Sequence, residues 1–305
     1  MICHQIPLNY TIPHCADDGF LGILYCASGL GLPRIDCAAV QAKPMNKKVK
    51  FDASRLKAAI GGAGEPAVFV HGLASNRLIW RRVCHGLKDD FSYHAIDLPG
   101  SGESPAPRHF QYTIEHFADV LTDFIILKDL KRLTLVGASL GAAVILVALL
   151  RNRDELAPRV RALCLIDAIA YPQDFPFFVE ILRTPFIGPL ALAFPFFAQI
   201  PRRRAGEALI RTARSLNAKL LSRYVQRLDT ILLPTLVIWG RKDGVVPLRA
   251  GKRLARDLPN SHLIVIDHCG HSPHTECPAE VISALKEFAQ KTSGNVSLPN
   301  HPATS

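Results

Sequence analysis

Apolar residues along this chain fall into two alternating patterns. Short apolar runs rich in Val, Ile, Leu and Phe are followed by longer stretches with apolar positions every three or four residues. Ala67-Val68-Phe69-Val70, Tyr93-His94-Ala95-Ile96-Asp97, Leu133-Thr134-Leu135-Val136 and Ala162–Asp167 read as buried strands. Arg77–Leu87, Tyr112–Leu127 and Ala142–Leu150 read as the helices that separate them. Lys50–Ile60 can supply an opening strand or hairpin, and Gly61–Pro66 is a turn. The rhythm resumes late, with strands over Pro234–Gly240 and His262–Ile266 and a terminal helix over Ala279–Gln290. This succession predicts βα units: an α/β fold class with a mostly parallel central sheet flanked by helices.

Between the two halves the rhythm breaks. Ala168–Ile231 has no strand pattern, so a helical cap inserted over about 168–231 is expected. Seven of the fifteen phenylalanines lie in Phe175–Phe197, where Pro176, Pro185, Pro189 and Pro195 interrupt the helices. Phe175, Phe177, Phe178 and Phe186 are candidates to line an apolar acyl or aryl pocket, packing of the cap on the body being the alternative. Pro201–Leu228 carries eight basic residues against the single Glu207. Three readings of that face stay open: a solvated helix surface, attraction to an anionic lipid interface, or steering of an anionic substrate. Nucleic acid is disfavoured, because few aromatics interleave with the arginines.

The two ends differ from the middle. Residues 1–46 have no clear period and read as an N-terminal extension, expected to be poorly ordered, with Met45 a natural second start. Gly19–Leu32 is mildly apolar, but Asp17 and Asp18 stand where a secretory signal needs basic residues. Residues 291–305 read as a polar, disordered tail after a main domain over 47–290.

Composition changes little. At 49% hydrophobic and 20% charged, the 305 residues suit one large domain with an insertion. No apolar run reaches the ~18–20 residues of a membrane span. The net charge of +10 speaks to solubility and steering, and no Walker loop, zinc-finger spacing or RNA-binding signature accompanies it. Eight cysteines contain no C-x-x-C pair, and Cys84, Cys164, Cys269 and Cys277 are expected to be reduced, buried thiols. With no convincing signal segment, that points to a cytoplasmic protein.

The chemistry centres on Gly137-Ala138-Ser139-Leu140-Gly141, set between a strand and a helix. Strand, G-x-S-x-G, helix is the context of a nucleophile elbow, in which small neighbours let a serine sit on a strained turn. A serine hydroxyl needs a base to take its proton and a third group to orient that base. Asp243 and His271 follow late strands and complete the order Ser, Asp, His at one sheet edge. Upstream, a strand ends in His71-Gly72-Leu73, where Gly72 permits close backbone approach. The N–H groups of Leu73 and Leu140 are therefore candidate oxyanion donors. The loop Asp97-Leu98-Pro99-Gly100-Ser101-Gly102-Glu103-Ser104 lacks a phosphate-binding Lys and reads as a structural turn in which Asp97 and Ser104 bond backbone.

With FVHGL, DLPGSGES, GASLGA, WGRKDGVVP and CGHSPHTECP in hand, the sequence resembles the α/β-hydrolase fold family over about Lys47–Gln290. The resemblance is to its serine esterase and lipase-like branch with an inserted helical lid. It implies Ser139 as nucleophile, His271 as general base then acid, and Asp243 as the acid member. Leu73 and Leu140 would supply the oxyanion N–H groups, and neither metal nor organic cofactor is implied. His268 and His274 flank His271, which alone matches the family motif after Gly270. Asp167 is the alternative acid. A serine nucleophile disfavours the dehalogenase and epoxide hydrolase branches. The implied reaction is hydrolysis of a small-molecule carboxylic ester with an apolar acyl or aryl group. Cleavage of a C–C bond in a meta-cleavage product, and a non-catalytic ligand-binding relative, are the alternatives.

Overall fold

The computed structural model describes residues 50–173, 177–192, 203–216 and 218–293. The expectations for residues 1–46, for the end of the tail and for Phe175 lie outside the described residues. Seven strands form one sheet: β1 (Ala58–Gly61), β2 (Glu65–Val70), β3 (Phe91–Ile96), β4 (Leu133–Ala138), β5 (Val160–Ile166), β6 (Thr235–Gly240) and β7 (Ser261–Ile266). Their order is β1-β3-β2-β4-β5-β6-β7, and all neighbours are parallel except β1 against β3. The fold class is the α/β class expected.

Alternation across the strands explains why they read as unbroken apolar runs. Val68, Val70, Leu135, Leu163, Leu165 and Val237 face one core. Ala67, Phe69, Val136, Cys164, Leu236 and Ile238 face the other. A sheet covered on both faces needs apolar side chains at every position. The first core is covered by α2 (Ile114–Leu127) and α3 (Leu140–Arg151). The second is covered by α1 (Arg81–Gly86) and the terminal helix Pro278–Ser293. Every residue of α3 from Leu140 to Leu150 is buried, so its sequence shows no polar stripe. Thr113 caps α2, its hydroxyl accepting from His116 N at 3.3 Å, so the helix starts at Ile114, two residues after the expected Tyr112.

A short α4 (Arg153–Leu156) leads into β5. Between β5 and β6 lie α5 (Phe177–Arg183), α6 (Ile187–Ala191), α7 (Arg203–Ser215) and α8 (Ala218–Val225). Arg211 ties α7 to the body, donating to Arg108 O and Phe110 O, each at 2.6 Å, and lying over the Tyr112 ring. Ser215 Oγ adds a bond to Tyr112 O at 2.7 Å. Arg211 is thus a docking residue, not part of a free basic face. After β6 come α9 (Leu248–Asp257), α10 (Pro273–Glu276) and α11 (Pro278–Ser293). The six parallel strands β2–β7 all end at one edge of the sheet, where the loops with the candidate site residues gather.

Candidate active site

The strand-to-helix turn after β4 forces Ser139 to φ 52°, ψ −116°. A non-glycine residue there costs on the order of 1–3 kcal/mol and needs surroundings that hold it. Its backbone is held from both sides: Ser139 N donates to Ile166 O at 2.9 Å, and Ser139 O accepts from Ala142 N at 3.2 Å. Gly141 permits the turn to press on the neighbouring strand, since a methyl group there would lie 2.2 Å from Val70 O. The first turn of α3 therefore abuts the end of β2, which brings the His71–Leu73 loop beside the serine.

His271 Nε2 lies 3.1 Å from Ser139 Oγ, and His271 Nδ1 lies 2.8 Å from Asp243 Oδ2. A carboxylate can only accept, so Nδ1 carries the proton and Nε2 is free to accept from the serine hydroxyl. The other oxygen of Asp243 accepts from Val245 N at 2.7 Å and Val246 N at 2.9 Å. These bonds fix the carboxylate and compensate its charge. Ser139 and Asp243 are both 9% exposed.

The loops carrying Asp243 and His271 meet backbone to backbone. A methyl group at Gly240 would lie 1.9 Å from Gly270 O, so only glycine fits. Lys242 N donates to Cys269 O at 2.9 Å beside it. Glu276 then brackets the histidine, accepting from Gly270 N at 2.7 Å and Ser272 N at 3.0 Å. Neither the Glu276 clamp nor the Gly240 contact is readable from spacing, since both depend on how the loop folds back through α10.

The other histidines stand apart from the serine. His268 is exposed and pairs with Glu280 at 3.1 Å. His274 is buried, stacked 4.6 Å from Trp80, and burial with the neighbouring His271 pushes its pKa down to about 3. His71 is buried at the end of β2, where Nδ1–H donates to Gly72 O at 2.7 Å and Nε2 accepts from Leu98 N at 3.0 Å. Burial holds its pKa below the usual imidazole value. His71 thereby couples the loop with Leu73 to the loop after β3.

That second loop is the structural turn expected. Buried Asp97 accepts from Arg77 N at 2.6 Å, from Glu103 N at 2.9 Å and from the Arg77 guanidinium. Ser104 Oγ donates to Asp97 O at 2.7 Å and accepts from Lys57 N at 2.9 Å. Among the described residues, no acceptor takes the N–H of Leu73 or of Leu140.

Asp167 follows β5 at φ 44°, fully buried, and the hydrogen bond of His271 Nδ1 goes to Asp243 instead. The phenylalanine expectation needs correction. Phe177 is 80% and Phe186 87% exposed, so neither lines a pocket. A short helix has one inward face, and α5 turns Val179 and Leu182 inward. Phe186 lies beyond that helix, in the turn at φ 64°. Phe178 is half-buried against the core, as a packing residue would be. The cysteine expectation also changes. Cys84 and Cys164 are free and buried, and burial pushes the Cys84 thiol up to about 12. Cys269 and Cys277 form a disulfide across the His271 loop, Cα–Cα 6.5 Å, because that loop turns back on itself through α10.

Among the described residues, two groups of side chains bring together three metal-ligating atoms each. In Asp167–Asp243–His271, Nδ1 is already committed to Asp243; in His268–Cys269–Cys277, the sulfurs are joined to each other. Among the described residues, no helix is long and apolar enough to cross a membrane.

Comparison with known proteins places the fold in a family. The alpha/beta hydrolase family model matches residues 67–284, and the chain belongs to that family. A pimeloyl-[acyl-carrier protein] methyl ester esterase of Vibrio atlanticus is 28% identical over 263 residues, covering 76% of this chain and 97% of its own. An uncharacterized hydrolase of Bacillus subtilis is 26% identical, covering 72% and 88%. The solved structure of a thermophilic esterase from Thermogutta terrifontis superposes with a TM-score of 0.63 at 26% identity, covering 78% of this chain and 94% of that one. The protein is a hydrolase of the α/β fold.

Proposed function

We propose that the protein is a serine hydrolase of carboxylic esters, working through an acyl-enzyme. The observation that carries this reading is the continuous line from Ser139 Oγ through His271 to Asp243, with the serine on a positive-φ elbow. In the first half-reaction His271 Nε2 takes the Ser139 proton as Oγ attacks the ester carbonyl. The oxyanion is met by the N–H groups of Leu73 and Leu140, two donors without partners among the described residues. His271 returns its proton to the alcohol, which leaves. Water then attacks the acyl-enzyme with His271 again as base, releasing the acid and restoring the serine.

Small-molecule carboxylic esters are the substrate class, bound beneath a cap formed by the helices between β5 and β6. Esterase names among relatives support the bond type, and the docking of α7 on the loop after β3 supports the cap. An ordered triad counts against a relative that only binds ligands, since binding needs no oriented base.

A fluorophosphonate probe, followed by mass spectrometry of the adduct, tests the reading. Stoichiometric labelling at Ser139, lost in Ser139→Ala, is expected, with hydrolysis across an ester chain-length series falling by about 10⁴-fold or more in the variant. A folded protein that neither labels nor turns over any ester would refute it. Turnover of a meta-cleavage dienoate with no ester turnover would replace the substrate class.

A further inference from the structure

Two buried carboxyl groups stand behind His271. An oxygen of Asp167, one of Asp243 and a ring nitrogen of His271 lie within 4.8 Å of one another. The two acids are unequally served. Asp243 receives three hydrogen bonds, from Val245 N, Val246 N and His271 Nδ1. Asp167 receives one, from Gly240 N to Oδ1 at 3.0 Å, while its Oδ2 is buried without a partner. A buried carboxylate with a single donor is poorly compensated, and a second negative charge this close makes it worse. Protonated, Asp167 becomes a donor, and an oxygen of the Asp243 carboxylate stands within 4.8 Å of one of its own to accept.

We propose that Asp167 stands as a neutral carboxylic acid whose hydroxyl serves the Asp243 carboxylate, so that the acid member of the triad is a pair sharing one proton. Among the described residues, the charged and titratable groups that act on this pair are His271 from the loop after β7 and Glu276 from α10. Burial first, then the Asp243 charge, then Glu276, push Asp167 up to about 9, against the pull of the Gly240 N–H. Asp167 is then a positioning residue. It leaves one negative charge behind His271 instead of two, and it orients the carboxylate that orients the imidazole. A second charge there would hold His271 protonated to higher pH, where it could not take the Ser139 proton.

The catalytic consequence rests on the esterase reading; the protonation state does not. Infrared spectra of the full protein should contain a protonated-carboxyl band at pH 7 that fades near pH 9 and is missing in Asp167→Asn. No such band at pH 7, or one unchanged in the variant, would overturn the proposal whatever the enzyme does. For turnover, kcat/KM against pH separates the possibilities. Asp167→Asn should leave the midpoint of the acid limb in place and remove a bend near pH 9. A midpoint lowered by a full unit would mean that Asp167 is ionised in the wild type. Asp167→Ala should lower kcat roughly ten- to a hundredfold, the worth of one charge-assisted bond, with KM little changed, and Asn should restore most of it. If Ser139 fails to label while the carboxyl band behaves as described, the esterase reading falls and the acid pair stands.

Discussion

Asp97 sits at the end of β3 with no exposed surface, and Asp97→Ala is expected to destabilise the protein by about 3–5 kcal/mol. The carboxylate accepts two backbone N–H groups, of Arg77 and Glu103, and the Arg77 guanidinium, whose side chain is 15% exposed. Each backbone donor left unpaired costs roughly 1–3 kcal/mol, and stranding the guanidinium adds to that. The losses share one network and do not simply add; Glu103 still reaches Arg77 at 2.9 Å, which keeps the total near the range for a broken buried ion pair. For a body of this size the midpoint of thermal unfolding should fall by roughly 6–20 °C. Urea unfolding followed by fluorescence would give the free energy, with the slope m checked for constancy. The loss should also reach the site, because Leu98, next to Asp97, donates to His71 Nε2 at 3.0 Å and so steadies the loop bearing Leu73. Fluorophosphonate labelling of the folded variant should therefore slow. A change below about 1 kcal/mol with undiminished labelling would show that the loop after β3 holds without this carboxylate, and the argument from buried donors would be wrong.

Acid should destabilise the protein through its buried neutral histidines. His274 has a folded pKa of about 3 against 6.5 unfolded, so its contribution is present above pH 6.5 and is lost as pH falls toward 3. At pH 5 that is about 2 kcal/mol, and His71 and His94, also held low by burial, act in the same direction. Urea midpoints at pH 7 and pH 5 should differ less in His274→Phe than in the wild type; an equal difference would exonerate His274. Exposed Phe177 and Phe186, near the basic helices, should carry the protein onto vesicles containing phosphatidylglycerol but not onto phosphatidylcholine alone. Replacing both by serine should weaken sedimentation with the vesicles by about tenfold or more per phenylalanine, and unchanged binding would remove them from any lipid interface.

The strands were legible because a sheet covered on both faces writes itself as uninterrupted apolar runs, as in β2 and β4. The elbow was legible because its constraints are local: small residues around one serine. Asp243 and His271 could be named by their places after late strands, but the choice of Asp243 over Asp167 is made by side-chain direction at adjacent strand ends. Helix α9 went unread because its inward positions, Gly251 and Leu254, give too little apolar signal among the arginines. The orientation of Phe177 was hidden because prolines break the period that would assign a face. The Cys269–Cys277 pairing and the Glu276 clamp arise only once the loop after β7 doubles back, and no periodicity encodes that.

The backbone at Ser139 has a bearing on engineering. At φ 52° the residue that would relax the turn is glycine, and glycine removes the nucleophile. Libraries ranked only by heat resistance would therefore enrich inactive sequences at this codon, while its neighbours would look ordinary. Any screen for robustness in this scaffold has to score turnover in the same round, or it will drift toward proteins that are sturdier and chemically silent.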